Sequence, residues 1–174
     1  MEDLNFQAIK LLCLDVDGVL TDGSISYTDT GHEIKTFNAK DGQGIVMLTK
    51  LDIKVAIITS RTSSIVQRRA TDLGIQYVFQ GAKDKLEKLE YLKTTLGLSY
   101  DEIAYMGDDI PDIPALNLVG IKACPNDAVE EVKRICNFKS TKNGGRGAVR
   151  ELTDQIYYPA KNRADKKPVE LPHI

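Results

Sequence analysis

The feature that most constrains this chain is the run KLLCLDV at residues 10–16, apolar at successive positions and followed closely by a second acid, so that Asp15 and Asp17 close it. A strand that is wet on one face alternates apolar with polar residues. One that is apolar on both faces belongs inside a parallel sheet covered by helices on each side. The run VAIITS at 55–60 repeats the signal, and shorter β-rich runs follow at 77–79 (YVF), 103–106 (IAYM) and 119–123 (VGIKA). Helical spacing fills the intervals. GQGIVMLTKL follows Asp41, whose carboxylate is expected to cap that helix. Ile65, Val66, Ala70 and Leu73 stop at Gly74, and Leu86, Leu89, Leu92 and Leu96 stop at Gly97. Further helices are expected over 127–135 and from Ala148. Such alternation predicts an α/β fold, doubly wound around a mostly parallel sheet.

Two segments interrupt the pattern. GSISY and EIKTF flank the turn-rich TDTGH, which predicts a β-hairpin projecting from the body over about residues 22–38. The polar, proline-containing stretch 159–174 is expected to form a tail with little regular structure, leaving a single domain over 1–158.

Charge narrows the partners. Lys plus Arg number 23 against 25 Asp plus Glu, a net charge of −2, which gives no electrostatic reason to expect nucleic acid or a membrane surface. No apolar run approaches the ~20 residues that span a bilayer, and MEDLNFQAIK lacks the regions of a signal peptide. The cytoplasm is therefore the expected compartment. The cysteines, Cys13, Cys124 and Cys136, are odd in number without CxxC spacing, against a zinc site or a disulfide framework. His32 and His173 fall in the hairpin and the tail and read as surface residues.

The chemistry gathers at strand ends, where ligands bind in open α/β sheets. The first strand ends in Asp15-Val16-Asp17-Gly18, the second in Thr59-Ser60-Arg61, and the one at 103–106 in Gly107-Asp108-Asp109 with Asp112 beyond; Lys85 opens the helix after YVF. Carboxylates that close repel unless a cation joins them. Mg²⁺, which takes one or two carboxylates plus water and phosphate oxygen, resolves that conflict. Separate helix-capping or solvated acids are the plain alternative for the Asp15/Asp17 pair, and the second acidic strand end argues against it. Phosphoryl transfer also needs positive charge and hydrogen bonds around three oxygens. Lys85 and the hydroxyl of Thr59 or Ser60 supply them.

Together DVDGVLTDG, the Thr59-Ser60 pair, Lys85 and GDDIPD resemble the four motifs of the haloacid dehalogenase superfamily of phosphatases. The resemblance implies Asp15 as nucleophile and Asp17 as the acid that protonates the leaving oxygen and then deprotonates water. It also implies magnesium held by Asp15, Asp108 and the backbone carbonyl of Asp17, with Asp109 and Asp112 in support. Thr59 lies 42 residues after Asp17 and Lys85 lies 26 after Thr59, and both gaps are already filled, so no cap domain fits.

The segments DVDGVLTDGSISY, EIKTFNAKDGQGI, VAIITSR, LGI and NGGRGAVREL are similar to the capless 3-deoxy-D-manno-octulosonate 8-phosphate phosphatases up to about Ile156. That likeness implies a sugar-acid phosphate substrate and a homotetramer built by the hairpin, in which subunit edges and C-terminal tails close the sites. It also implies that Arg61 and Arg69 meet the substrate's carboxylate. Relatives acting on nine-carbon 9-phosphates tend to carry an acid where Arg61 stands, so Arg61 favours the eight-carbon substrate. The family often reads Thr-Gly-Arg where this chain has Thr59-Ser60-Arg61. Gly144, Gly145 and Gly147 read as a plain turn, with anion binding through their amides as the other option. Of the rivals, a P-loop enzyme is excluded for want of GxxxxGK[ST]. A receiver domain carries its reactive aspartate on a middle strand. A catalytically silent assembly module of the same fold would be expected to have lost Asp15 or Asp17.

Overall fold

The computed structural model describes residues 4–165. Its main sheet has six parallel strands in the order β5-β4-β1-β6-β7-β8, formed by β1 (Leu11–Leu14), β4 (Lys54–Ile58), β5 (Tyr77–Phe79), β6 (Ile103–Met106), β7 (Ile121–Cys124) and β8 (Phe138–Lys139). β2 (Ser26–Tyr27) and β3 (Glu33–Ile34) pair antiparallel as a separate two-stranded sheet, the projecting hairpin. The two-residue β8 at the sheet edge was not expected from sequence; FK is too short to show a period.

The continuous apolar character of β1 has the expected cause. Leu12 and Leu14 point into one buried cluster, with Ile45, Val66, Val149 and Leu152, while Leu11 and Cys13 point into the other, with Leu89, Leu92, Leu116 and Val132. The first layer is built by α1 (Ala39–Thr49), α2 (Ser64–Asp72) and α6 (Ala148–Asp165), and the second by α3 (Lys85–Leu96), α4 (Ile113–Leu116) and α5 (Glu130–Ile135). The chain runs from β1 out to β5, then returns to β6 on the other side of β1. This reversal opens a crevice between the carboxyl ends of β1 and β6, where ligands bind in such sheets.

Two local expectations are corrected. Asp41 does not cap α1: Asn38 does, its side chain accepting from the N–H groups of Lys40 and Asp41. The buried Asp41 carboxylate instead accepts from the N–H of Gly147 (3.3 Å) and Arg150 (2.8 Å), at the start of α6. An acid can satisfy the orphan donors of any helix end within reach, and the partner more than a hundred residues away is invisible to local pattern. The chain beyond Tyr158 is also not irregular. α6 continues through Pro159 to Asp165, with Ile156 and Ala160 buried on its inner face and Arg163 donating to the Gln7 carbonyl at 3.1 Å. Packing on both sides of the proline overrides its low helix propensity. The rest of the expected tail, 166–174, lies outside the described residues.

Candidate active site

β1 and β6 run side by side, so the acids that follow them meet. Asp15, Asp17, Thr59, Ser60, Arg61, Lys85, Asp108, Asp109, Pro111 and Asp112 line one open cleft of about 180 Å³. Carboxylate oxygens of Asp15, Asp108 and Asp112 lie within 4.8 Å of one another. Gly18 makes this convergence possible: its φ is +87°, and a Cβ there would come 2.0 Å from Asp108 Oδ2. Gly144 closes from behind, where a Cβ would meet the Gly18 carbonyl oxygen at 1.9 Å. The Gly144 N–H donates to Asp127 Oδ1 and the Gly145 N–H to the Val19 carbonyl, so neither amide is free for an anion. This glycine-rich turn is a wedge that shapes the loop after Asp17.

The buried centre is Lys85, whose ammonium donates to Asp15 Oδ2 and Asp112 Oδ1, both at 2.7 Å. Asp112 has no oxygen to spare. Its Oδ1 also accepts from the Tyr105 hydroxyl (2.8 Å), and its Oδ2 accepts from the N–H groups of Asp108 (3.1 Å) and Asp109 (3.3 Å). It thus aims Lys85 and braces the loop rather than offering a ligand. Asp109 caps the next turn by accepting from the Ile110 N–H. Asp108 differs from both, because its Oδ1 is buried without any hydrogen-bond partner.

Electrostatics mark the same residue. Burial, then the neighbouring Asp15 and Asp112, push the Asp108 carboxyl up to about 8, with Lys85 opposing. Burial and Asp112 raise Asp15 to about 6 against the pull of Lys85. Burial disfavours the Lys85 cation, yet Asp15 and Asp112 outweigh it and hold its pKa above the ordinary lysine value. Three carboxylates share one ammonium here, and an orphaned oxygen costs a desolvation penalty. An oxygen-seeking divalent cation bound by Asp15 and Asp108 meets both needs, so the donor set fits magnesium.

The side chain of Asp17 turns away from this cluster. Lys35, on the hairpin, donates to Asp17 Oδ1, and Arg61 Nε lies 3.7 Å from Asp17 Oδ2. Arg61 also reaches Glu33 (3.0 Å) and the Tyr27 hydroxyl (3.3 Å). Arg61 faces the cleft as expected, but Arg69 does not. It donates to the Asn38 carbonyl at 3.3 Å and lies over the Phe37 ring, 5.6 Å from its centroid, tying α2 to the start of α1. Arg61 precedes α2, which starts only at Ser64, so helical spacing does not set Arg69 on the same side as Arg61. Thr59 is buried at the cleft floor and Ser60 is exposed at its edge.

Sequence reasoning missed Lys35, Glu33, Tyr27 and Tyr105. The period of two in EIKTF sets Glu33 and Lys35 on one face, and a charged pair on a hairpin was the available signal.

Comparison with known proteins places this geometry. Residues 77–152 match the haloacid dehalogenase-like hydrolases. The chain is 43% identical over 148 residues to the 3-deoxy-D-manno-octulosonate 8-phosphate phosphatase KdsC of Yersinia pestis, covering 85% of this chain and 79% of that one. It belongs to that phosphatase family. A solved structure of the Yersinia pestis family member superposes with a TM-score of 0.88 at 40% identity, over 92% of this chain and 86% of that chain. The family member from Moraxella catarrhalis, solved in complex with magnesium, phosphate and KDO, also gives a TM-score of 0.88 at 40% identity, over 92% of each chain. The six-stranded parallel core is thus the haloacid dehalogenase fold.

Proposed function

We propose that this chain is a magnesium-dependent phosphatase that hydrolyses 3-deoxy-D-manno-octulosonate 8-phosphate to the free sugar acid and phosphate. The observation that carries the reading is the partnerless Asp108 Oδ1 beside Asp15 and Lys85, at the crevice of a chain 43% identical to a phosphatase of that name. Asp15 attacks phosphorus as the ester P–O bond breaks, and a phosphoryl group is left on its carboxylate. Asp17 gives its proton to the departing alkoxide oxygen. It then takes one from the water that attacks phosphorus, which releases phosphate and restores Asp15. Splitting one hard displacement in two is the benefit of a covalent intermediate. Asp15, Asp108 and the Asp17 backbone carbonyl would hold magnesium, which would supply positive charge beside the phosphoryl oxygens. Lys85 supplies the fixed cation on the other side, and Thr59 and Ser60 donate to the same oxygens. Asp109 and Asp112 brace the ligands.

Arg61, which lines the cleft, is the cation for the substrate's carboxylate, since its planar fork suits that group; an arginine rather than an acid at this position supports the eight-carbon sugar acid. For Arg69 a substrate role requires reaching a neighbouring subunit's site. The assembly in this proposal is a homotetramer. Ile25, Tyr27 and Ile34 are 46%, 59% and 50% exposed on the hairpin, an apolar surface that favours a partner. No helix among the described residues is long and apolar enough to cross a membrane. The setting proposed is the cytoplasm, which three buried free cysteines suit. The test is phosphate release from the eight-carbon and nine-carbon sugar-acid phosphates with Mg²⁺, beside Asp15→Asn. Undiminished turnover in that variant removes the nucleophile, and equal turnover of the two substrates removes the specificity assigned to Arg61.

A further inference from the structure

The charged groups beneath the hairpin form a closed ring. Lys35 joins Asp17 Oδ1 to Glu33 Oε1 (3.5 Å), Arg61 joins the same Glu33 oxygen at 3.0 Å, and Arg61 Nε returns to Asp17 Oδ2 at 3.7 Å. Its members differ in one respect. The Arg61 side chain is 44% exposed and lines the cleft, whereas that of Lys35 is 2% exposed and lies outside the cleft lining. An ammonium so covered carries a large desolvation penalty unless carboxylates surround it. Asp17 and Glu33 are the two within reach. Rotating Asp17 away would leave a buried charge with one distant partner, so the lysine fixes the rotamer of the aspartate.

From this geometry we infer that Lys35 is a positioning residue for the proton transfers of Asp17. It occupies Oδ1 and leaves Oδ2, on the side of the cleft-lining Arg61, as the oxygen that carries the proton to the leaving group and later receives one from water. The hairpin thereby takes part in the chemistry through Asp17 without touching substrate. This rests on the proposed role of Asp17 as proton donor.

Leaving groups separate positioning from mere structure. An alkyl ester leaves as a strongly basic alkoxide and depends on a well-aimed acid, while 4-nitrophenolate leaves with little help. The experiment compares kcat/KM for glycerol 2-phosphate, 4-nitrophenyl phosphate and the eight-carbon sugar-acid phosphate in wild type, Lys35→Met, Lys35→Arg and Asp17→Asn, all with Mg²⁺. Since general acid catalysis contributes ~10²–10⁴-fold, Lys35→Met is expected to lose roughly tenfold to a hundredfold on the alkyl ester and less than about threefold on the aryl ester. Lys35→Arg, which keeps the charge, is expected to recover much of the ratio. Equal losses on both esters, or no loss, overturn the inference. So does a loss confined to the sugar-acid phosphate, which makes Lys35 a substrate contact. If Lys35→Met does not fold, Lys35→Arg and Glu33→Gln decide by the same ratio. Asp17→Asn is the control: absence of leaving-group bias there removes the role of Asp17 itself, whereas bias there without bias in the lysine variants removes only Lys35.

Discussion

Two networks of carboxylates and cations flank the cleft, and they are built on opposite plans. In the Asp15–Lys85–Asp112 cluster the side chains are 10%, 3% and 0% exposed and every contact is short. In the Asp17–Lys35–Glu33–Arg61 ring the lysine is covered, Asp17 and Glu33 are 20% and 18% exposed, and Arg61 is 44% exposed. The difference follows the work of each. A nucleophile must wait in one place with its charge balanced, which rigid burial between strand ends provides. A proton carrier must face the substrate and change charge twice per turnover, and a partly wet ring tolerates that change at smaller electrostatic cost.

The sharpest way to break this contrast is at the nucleophile. Asp15→Asn is expected to reduce phosphate release to background while the fold persists, as read by a phosphate assay beside circular dichroism. Next comes the buried cation. Lys85→Met leaves Asp15 and Asp112 facing each other without compensation, so a loss of about 3–5 kcal/mol is expected in denaturant unfolding without metal. The variant should gain more from Mg²⁺ than wild type does; a gain no larger would mean the ammonium is not balancing those acids.

The metal site adds a pH dependence whose sign is fixed. Asp15 at about 6 and Asp108 at about 8 lie above the ordinary aspartate range. Such raised groups contribute stability that is fully present below the unfolded value of about 3.9 and lost as pH rises through the folded values. Without divalent cation the melting temperature should therefore fall between about pH 5 and pH 9, more in wild type than in Asp108→Asn. Added Mg²⁺ should raise it most at the alkaline end. A flat profile in wild type would contradict the proposed crowding.

The smallest effect on stability belongs to the ring's exposed member. Arg61→Met should change unfolding free energy by less than about 1 kcal/mol, since exposed ion pairs contribute little. The same variant should raise KM for the sugar-acid phosphate by roughly tenfold, the cost of one charged hydrogen bond, and leave that for glycerol 2-phosphate within about threefold. Parallel rises would place Arg61 on the phosphate instead.

The contrast extends to legibility. Asp15, Asp108 and Lys85 could be found because each sits at the end of an apolar strand or the start of the helix after one, and the parallel sheet forces such ends together. Lys35 follows no such rule. It follows directly after the two-residue β3, and its docking against Asp17 depends on how a hairpin folds back. Arg69 departs from the expected edge for a related reason: it lies within α2 whereas Arg61 precedes that helix, and its guanidinium is taken up by Asn38 and Phe37.

By itself the sequence determined the strand and helix alternation, the doubly wound sheet and the acids around its crevice, because period and strand-end position are local properties that a parallel sheet converts directly into space. Only the tertiary structure decided which acid keeps a free oxygen for a cation, that Asp41 serves α6 rather than α1, that α6 passes through Pro159, and that a hairpin lysine holds Asp17. Each of those depends on hydrogen-bond partners, desolvation and packing between residues far apart in the chain, and such pairings leave no mark on local pattern.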